Sequence, residues 1–134
     1  MTGSSQNSTL GNLFVYGSLV RPGVLDGVIG RHHEGERLRA RILDYERIVS
    51  PGYDYPFVVE KSGAVTEGVL IMDLTEDDLR ALDAYEETDE AVYKRVPVEV
   101  SCLGCGPTEM LARAHLYVAG PALLARLDLA NVSA

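Results

Sequence analysis

The chain has 134 residues, a one-domain length that buries about two thirds of its unfolded surface without cross-links. Hydrophobic residues are 46% and charged residues 24%, which excludes disordered, collagen-like and coiled-coil classes. Twelve Lys and Arg against twenty Asp and Glu leave a net charge of −8, a poor match to duplex nucleic acid or an anionic membrane, and no apolar run reaches the roughly 18–20 residues of a membrane span.

Residues 1–12 are rich in Ser, Thr, Asn and Gly and lack the basic and apolar regions of a signal peptide, so they read as a disordered lead before a single domain over 13–134. Two cysteines are no disulfide framework, and the expected location is the cytoplasm with thiols reduced. Leu13-Phe14-Val15-Tyr16 is a short apolar run stopped by Gly17-Ser18, the pattern of a buried strand entering a tight loop. Arg21 to Gly30 has helical spacing, but its three glycines make a weak helix. From Arg37 to Ile42, Leu38, Ala40 and Ile42 alternate with Arg37, Arg39 and Arg41, a strand with one face in water. Ser50 to Pro56 reads as a loop. Phe57-Val58-Val59 and Val65 to Met72 read as a hairpin turning about Lys61-Ser62-Gly63.

Leu74 to Glu87 is the clearest helix. Thr75 is its N-cap, Asp78 completes an imperfect capping box, and Leu74 with Leu79 fits a hydrophobic staple. A strand follows over Val92 to Val100, with Pro97 marking an edge or bulge. The loop Ser101 to Pro107 precedes a last strand carrying Met110, Ala112, Ala114, Leu116 and Val118, and Gly120-Pro121 opens a short helix or tail. This order is not the regular alternation of a doubly wound sheet. It predicts an α+β fold: a mixed, strongly curved, barrel-like sheet with one main helix and short extra helices.

Two places carry candidate chemistry. Glu86 lies seven residues after Leu79 and four after Leu82, on the apolar stripe of the main helix. A carboxylate aimed along such a face is costly unless paired, solvated or protonated, and burial tunes it toward a general base near neutrality. The plain alternative is a frayed helix end from which Glu86 reaches out to solvent or pairs with Arg95. Tyr16-Gly17-Ser18-Leu19 is the second place: a strand ending in Gly-Ser can present successive N–H groups to a carboxylate or an oxyanion, or it is an ordinary turn.

Phe14-Val15-Tyr16-Gly17-Ser18-Leu19 resembles the YGSL motif of the γ-glutamylcyclotransferase-like superfamily, including its AIG2-like branch. Further pieces follow in that family's order: Tyr55-Pro56-Phe57-Val58-Val59, Gly68-Val69-Leu70, Leu82-Asp83-Ala84-Tyr85-Glu86 with Tyr93-Lys94-Arg95-Val96-Pro97-Val98, and Ala114-His115-Leu116-Tyr117-Val118. The resemblance covers about residues 13–118. It implies cyclisation of a small-molecule γ-glutamyl substrate to 5-oxoproline with release of an amine or amino acid, without metal or cofactor. It implies Glu86 as the acid/base, Gly17, Ser18 and Leu19 as the binding loop, and Tyr16 and Tyr117 as cavity walls. Glu87 stands where many relatives have Gly, and 88–92 is acidic, which disfavours a free anionic peptide. A non-catalytic metabolite-binding protein of the same fold is the competing expectation.

Other signals are weaker. Cys102-Leu103-Gly104-Cys105 is a CxxC, but zinc wants two more ligands and a redox pair usually opens a helix, so loop thiols are expected. Ser18 lacks the GxSxG frame of a hydrolase. His32-His33 reads as a solvated surface pair, and Arg37, Arg39 and Arg41 as a solvated cationic strip.

Overall fold

The computed structural model describes residues 11–49, 56–86, 88, 92–102 and 110–125. The N-terminal lead before Gly11, most of the Ser50–Pro56 loop, Tyr55, Glu87 and Cys105 lie outside the described residues. The elements are β1 (Gly11–Val15), a 3₁₀ turn (Ser18–Val20), α1 (Pro22–Ile29), β2 (Arg37–Ile48), β3 (Phe57–Leu74), α2 (Glu76–Tyr85), β4 (Tyr93–Cys102) and β5 (Met110–Ala119), followed by a helical turn over 121–125. The strands close into a barrel in the order β1-β3-β2-β4-β5. Neighbours are antiparallel except β1 and β5, which run parallel through Leu13↔His115 and Phe14↔Leu116, so the sheet is mixed, as its sequence predicts. No helix among the described residues is long and apolar enough to cross a membrane.

Burial on both faces explains the unbroken apolar run in β1. Phe14 joins Ala40, Ile42, Val58, Leu70, Val100, Ala114 and Leu116, a cluster drawn from all five strands and therefore inside the barrel. Leu13 and Val15 point the other way and join Leu25 of α1 and Leu79 and Leu82 of α2, the layer between sheet and helices. The same alternation separates Leu70 from Ile71 and Leu116 from Tyr117.

The main helix begins as its sequence dictates. Thr75 accepts from the Asp78 N–H at 3.1 Å, and Asp78 Oδ2 accepts from the Thr75 N–H at 2.9 Å. Leu74 and Leu79 lie in one apolar cluster. Asp78 also receives both ends of the Arg31 guanidinium, tying the segment after α1 to the start of α2. Burial pushes the Asp78 carboxyl up, but hydrogen bonds from Arg31 and Thr75 more than offset this and hold it below the ordinary carboxylate range.

Four expectations are corrected. The hairpin about Lys61-Ser62-Gly63 is absent: β3 is one strand, paired with β2 from Arg37↔Ile71 to Ile48↔Phe57. Gly63 does take a left-handed φ of 85°, but the partner strand answers with Asp44 at φ 70°, whose Oδ1 accepts the Gly63 N–H at 3.0 Å. The turn residues therefore make a bulge between Leu43 and Tyr45 rather than a reversal. The histidine pair is split: His32 is exposed beside Asp26, whereas His33 is only 6% exposed and meets the Met72 carbonyl at 2.6 Å. The arginine strip is not uniformly solvated, since Arg39 is exposed but Arg37 and Arg41 are half-buried. Cys102 is disulfide-bonded rather than a reduced loop thiol.

Pro97 bears out its edge assignment. β2 meets β4 only at Ala40↔Cys102 and Arg41↔Ser101, so Pro97 pairs with His115 of β5 and has no β2 partner.

Two glycines with opposite surroundings test this packing. A Cβ on Gly68 would stand 2.2 Å from the Val15 carbonyl oxygen and 2.8 Å from Phe14 Cζ. Gly68→Ala should therefore cost about 2 kcal/mol or more through overpacking. Gly27 lies in α1 with nothing within 4 Å, and Gly27→Ala should stabilise by about 0.5–1 kcal/mol. Urea unfolding of the two variants checks both signs.

Acid titration tests the Arg31–Asp78 tie. A lowered carboxyl pKa contributes stability above the unfolded value, about 3.9, and loses it as pH falls through the folded value. With Arg31 still 42% exposed, Asp78→Asn should cost only about 1 kcal/mol at neutral pH. The gap between wild type and variant should close below about pH 4. A gap independent of pH between 2 and 7 would contradict the assignment.

Candidate functional site

The site is assembled where β1 ends, α2 ends and β5 passes beneath both. After β1 the chain turns at once: the Val20 N–H donates to the Gly17 carbonyl at 3.0 Å, closing the 3₁₀ turn that contains Ser18 and Leu19. Gly17 sits here because there is little room for more. A Cβ would come within 3.1 Å of Pro56 Cγ. Leu19 is buried in the layer beneath the helices and anchors the turn.

Tyr16 leads into this turn and its hydroxyl donates to the Tyr117 carbonyl at 2.6 Å. The turn and the last strand are thereby joined across the barrel seam. Tyr117 is 3% exposed, and its own hydroxyl donates to Asp83 Oδ1 at 2.7 Å. Burial pushes that hydroxyl far above the ordinary phenol range. The Asp83 carboxylate and the negative charge of Glu86 push the same way, against the opposing Arg95. Tyr117 is thus a proton-bearing donor at any working pH.

Asp83 is the centre of the network. Besides the Tyr117 hydroxyl it receives Arg95 in two-point fashion, Nε to Oδ1 at 2.9 Å and Nη2 to Oδ2 at 3.2 Å. Its backbone carbonyl accepts from the Thr88 hydroxyl at 3.3 Å. Asp83, Thr88, Tyr93, Lys94, Arg95 and Pro121 line a cleft of about 430 Å³, and the Tyr93 hydroxyl donates to the Pro56 carbonyl at 3.1 Å.

Glu86 occupies the C-cap of α2, with φ −87° and ψ 4°, and its N–H donates to the Leu82 carbonyl at 2.9 Å. The helix is not frayed there. The Glu86 side chain is half-buried, and its charge is felt at Tyr117. Arg95, its partner under the plain sequence reading, is instead held by Asp83.

Of the six residues singled out from sequence, the structure joins Tyr16 to Tyr117 by a hydrogen bond and sets Glu86 close enough for its charge to act on Tyr117, but Tyr16, Gly17, Leu19, Glu86 and Tyr117 are not among the residues that line the cleft. Both tyrosine hydroxyls are already donating to protein acceptors. Sequence reasoning missed the role of Asp83, although it lies three residues before Glu86 and so shares its helix face. It missed Arg95 as the Asp83 partner and Tyr93 as a wall. His115, half-buried on β5, is pushed down by burial and by Arg95, against the opposing Asp83, which leaves a neutral imidazole at neutral pH. Among the described residues no group of three or more His, Cys, Asp or Glu is arranged to hold a metal ion.

Comparison with known proteins places this geometry. Residues 13–131 match the family model described as "Gamma-glutamyl cyclotransferase, AIG2-like". An AIG2-like protein A of Arabidopsis thaliana is 33% identical over 97 residues, covering 72% of this chain and 56% of the relative, so the chain spans little more than half of that protein's length. A protein of the same plant solved in solution superimposes with a TM-score of 0.69 at 26% identity, covering 92% of this chain and 85% of the other. A structure titled gamma-glutamyl cyclotransferase, at 15% identity and a TM-score of 0.64 over 81% of this chain and 65% of that one, shares the fold. With a match running through both the first turn and the end of the main helix, the chain belongs to the gamma-glutamyl cyclotransferase, AIG2-like family.

Proposed function

We propose that the protein is a γ-glutamylcyclotransferase. It acts on a γ-glutamyl amine or γ-glutamyl amino acid and releases 5-oxoproline and the free amine. The observation that carries this reading is the placement of Glu86: a half-buried carboxylate at the end of α2, electrostatically felt by Tyr117, the residue that Tyr16 ties to the first turn.

The chemistry follows from what cyclisation requires. The α-ammonium of the γ-glutamyl group cannot attack until it loses a proton. Glu86 takes that proton, the amine attacks the γ-carbonyl carbon, and a tetrahedral intermediate forms. Glu86 then returns the proton to the departing nitrogen as the oxyanion collapses and the original amide bond breaks, and the extra proton on the new ring nitrogen passes to the released amine, leaving a neutral lactam and an ammonium. The oxyanion is met by N–H groups of the turn at Gly17 and Ser18. Because the attack is intramolecular, holding the substrate in one geometry supplies much of the acceleration.

Asp83 and Arg95 have a supporting part in this scheme. A free guanidinium beside Glu86 would favour its ionised form and weaken it as a base. Pairing Arg95 with Asp83 keeps that charge matched within its own ion pair.

The name AIG2-like that several relatives carry keeps a second reading in view: a protein of this fold whose cleft holds a small metabolite without turnover. A panel of γ-glutamyl amines and γ-glutamyl amino acids assayed for 5-oxoproline separates the two. Turnover of at least one compound is expected, and none across a broad panel would favour the binding protein. Glu86→Gln keeps the size of the side chain and removes the base. It should lower kcat by about 10²–10⁴-fold while ligand binding persists. A Gln variant with wild-type kcat would remove Glu86 from the mechanism.

A further inference from the structure

Each end of the turn that follows β1 is gripped by an arginine from β2. Arg47 Nε donates to the Tyr16 carbonyl at 3.1 Å. Arg37 Nη2 donates to the Val20 carbonyl at 2.7 Å and to the Leu19 carbonyl at 3.2 Å. Between them the Gly17 carbonyl is held by the Val20 N–H. Thus the carbonyls of Tyr16, Gly17, Leu19 and Val20 all have a bound donor.

A trans peptide is planar, with its C=O and the following N–H pointing in opposite directions. Fixing the Tyr16 carbonyl fixes the Gly17 N–H, and fixing the Gly17 carbonyl fixes the Ser18 N–H. Arg47's positive charge at the Tyr16 carbonyl also polarises that amide in the sense that strengthens the Gly17 donor, while Arg37, through the Leu19 carbonyl, fixes the Val20 N–H that holds the Gly17 carbonyl.

The two arginines are ten positions apart, about 33 Å along a straight strand. No straight strand could place both on one five-residue turn. β2 does so because it follows the wall of a closed barrel, its register with β3 shifting between Leu43 and Tyr45, where Asp44 takes its left-handed conformation. Stability alone is a poor explanation for Arg37. Its Nη1 is buried without a hydrogen-bond partner, which costs free energy, and burial pushes the guanidinium below its ordinary range, with Asp26 opposing.

We infer that Arg37 and Arg47 are positioning residues: they clamp the carbonyls of the Tyr16–Val20 turn so that the N–H groups of Gly17 and Ser18 are held ready for the oxyanion. This rests on the cyclotransferase reading above. Arg37 carries the larger share, because it is half-buried and bridges two carbonyls, whereas water can replace the exposed Arg47. Arg39, exposed on the same strand, is the control.

The test is a ranked series. With a γ-glutamyl substrate found in the panel, Arg37→Met should lower kcat about ten- to hundredfold, with KM nearly unchanged. Arg47→Met should have a smaller effect in the same sense, and Arg39→Met should match wild type. Arg37→Lys, which keeps one donor, should recover part of the loss, and it serves as the variant if Arg37→Met does not fold. Amide exchange at Val20 reads the clamp directly: it should quicken at least tenfold in Arg37→Met, while the Gly30 amide, bonded to Asp26 in α1, stays at its wild-type rate. Wild-type kcat in Arg37→Met, or unchanged Val20 exchange, overturns the inference even where the wild-type chain turns over. If the wild-type chain turns over nothing, the cyclotransferase reading fails, and with it the oxyanion role. Val20 exchange then still decides whether the clamp exists.

Discussion

The structure depends on the short parallel contact between β1 and β5. Two pairs of residues, Leu13 with His115 and Phe14 with Leu116, close the barrel. They bring the first turn of the chain onto its last strand, residues 101 positions apart. Without that closure Tyr16 would not reach the Tyr117 carbonyl, and the turn would have no fixed relation to the end of α2. Gly68 makes the contact possible from the other flank of β1, because only a residue without a side chain lets β3 lie against Phe14 and Val15.

Around that seam the charges are arranged to be satisfied locally. Asp83 holds Arg95 and Tyr117, and Asp78 holds Arg31 and the helix start. Both carboxylates lie on α2, one at its beginning and one in its last turns. The helix therefore serves as a strut pinned at both ends by arginines from other elements. In the proposed reaction this rigidity locates Glu86, which has the last position of that strut.

Much of this was legible in the residues, for identifiable reasons. The start of α2 is local chemistry: a threonine, an aspartate three residues on and a leucine on either side suffice to define it. The half-buried state of Glu86 fits the apolar stripe on which helical period puts it. Strand alternation correctly assigned Ala40 and Ile42 to the interior. It failed for Arg37 because a period of two tells which face a residue occupies and not what later covers that face. The turn residues at 61–63 misled for a related reason. Gly63 has the backbone a reversal needs, but Asp44 on the neighbouring strand absorbs it, and that partner lies 19 positions away. His33 was misjudged because its acceptor, the Met72 carbonyl, is contributed by a distant strand. Local chemistry is written in the sequence, whereas contacts made across the barrel depend on partners that no local pattern announces.

The incomplete seam between β2 and β4 has a consequence for solubility. For most of its length β4 presents an edge not covered by β2, and an uncovered edge invites a strand from another molecule. A proline fits a strand where its nitrogen turns away from the paired neighbour, so Pro97 removes one donor from the row an intruding chain would need. Pro97 thus makes the open side of β4 a poorer template for another strand.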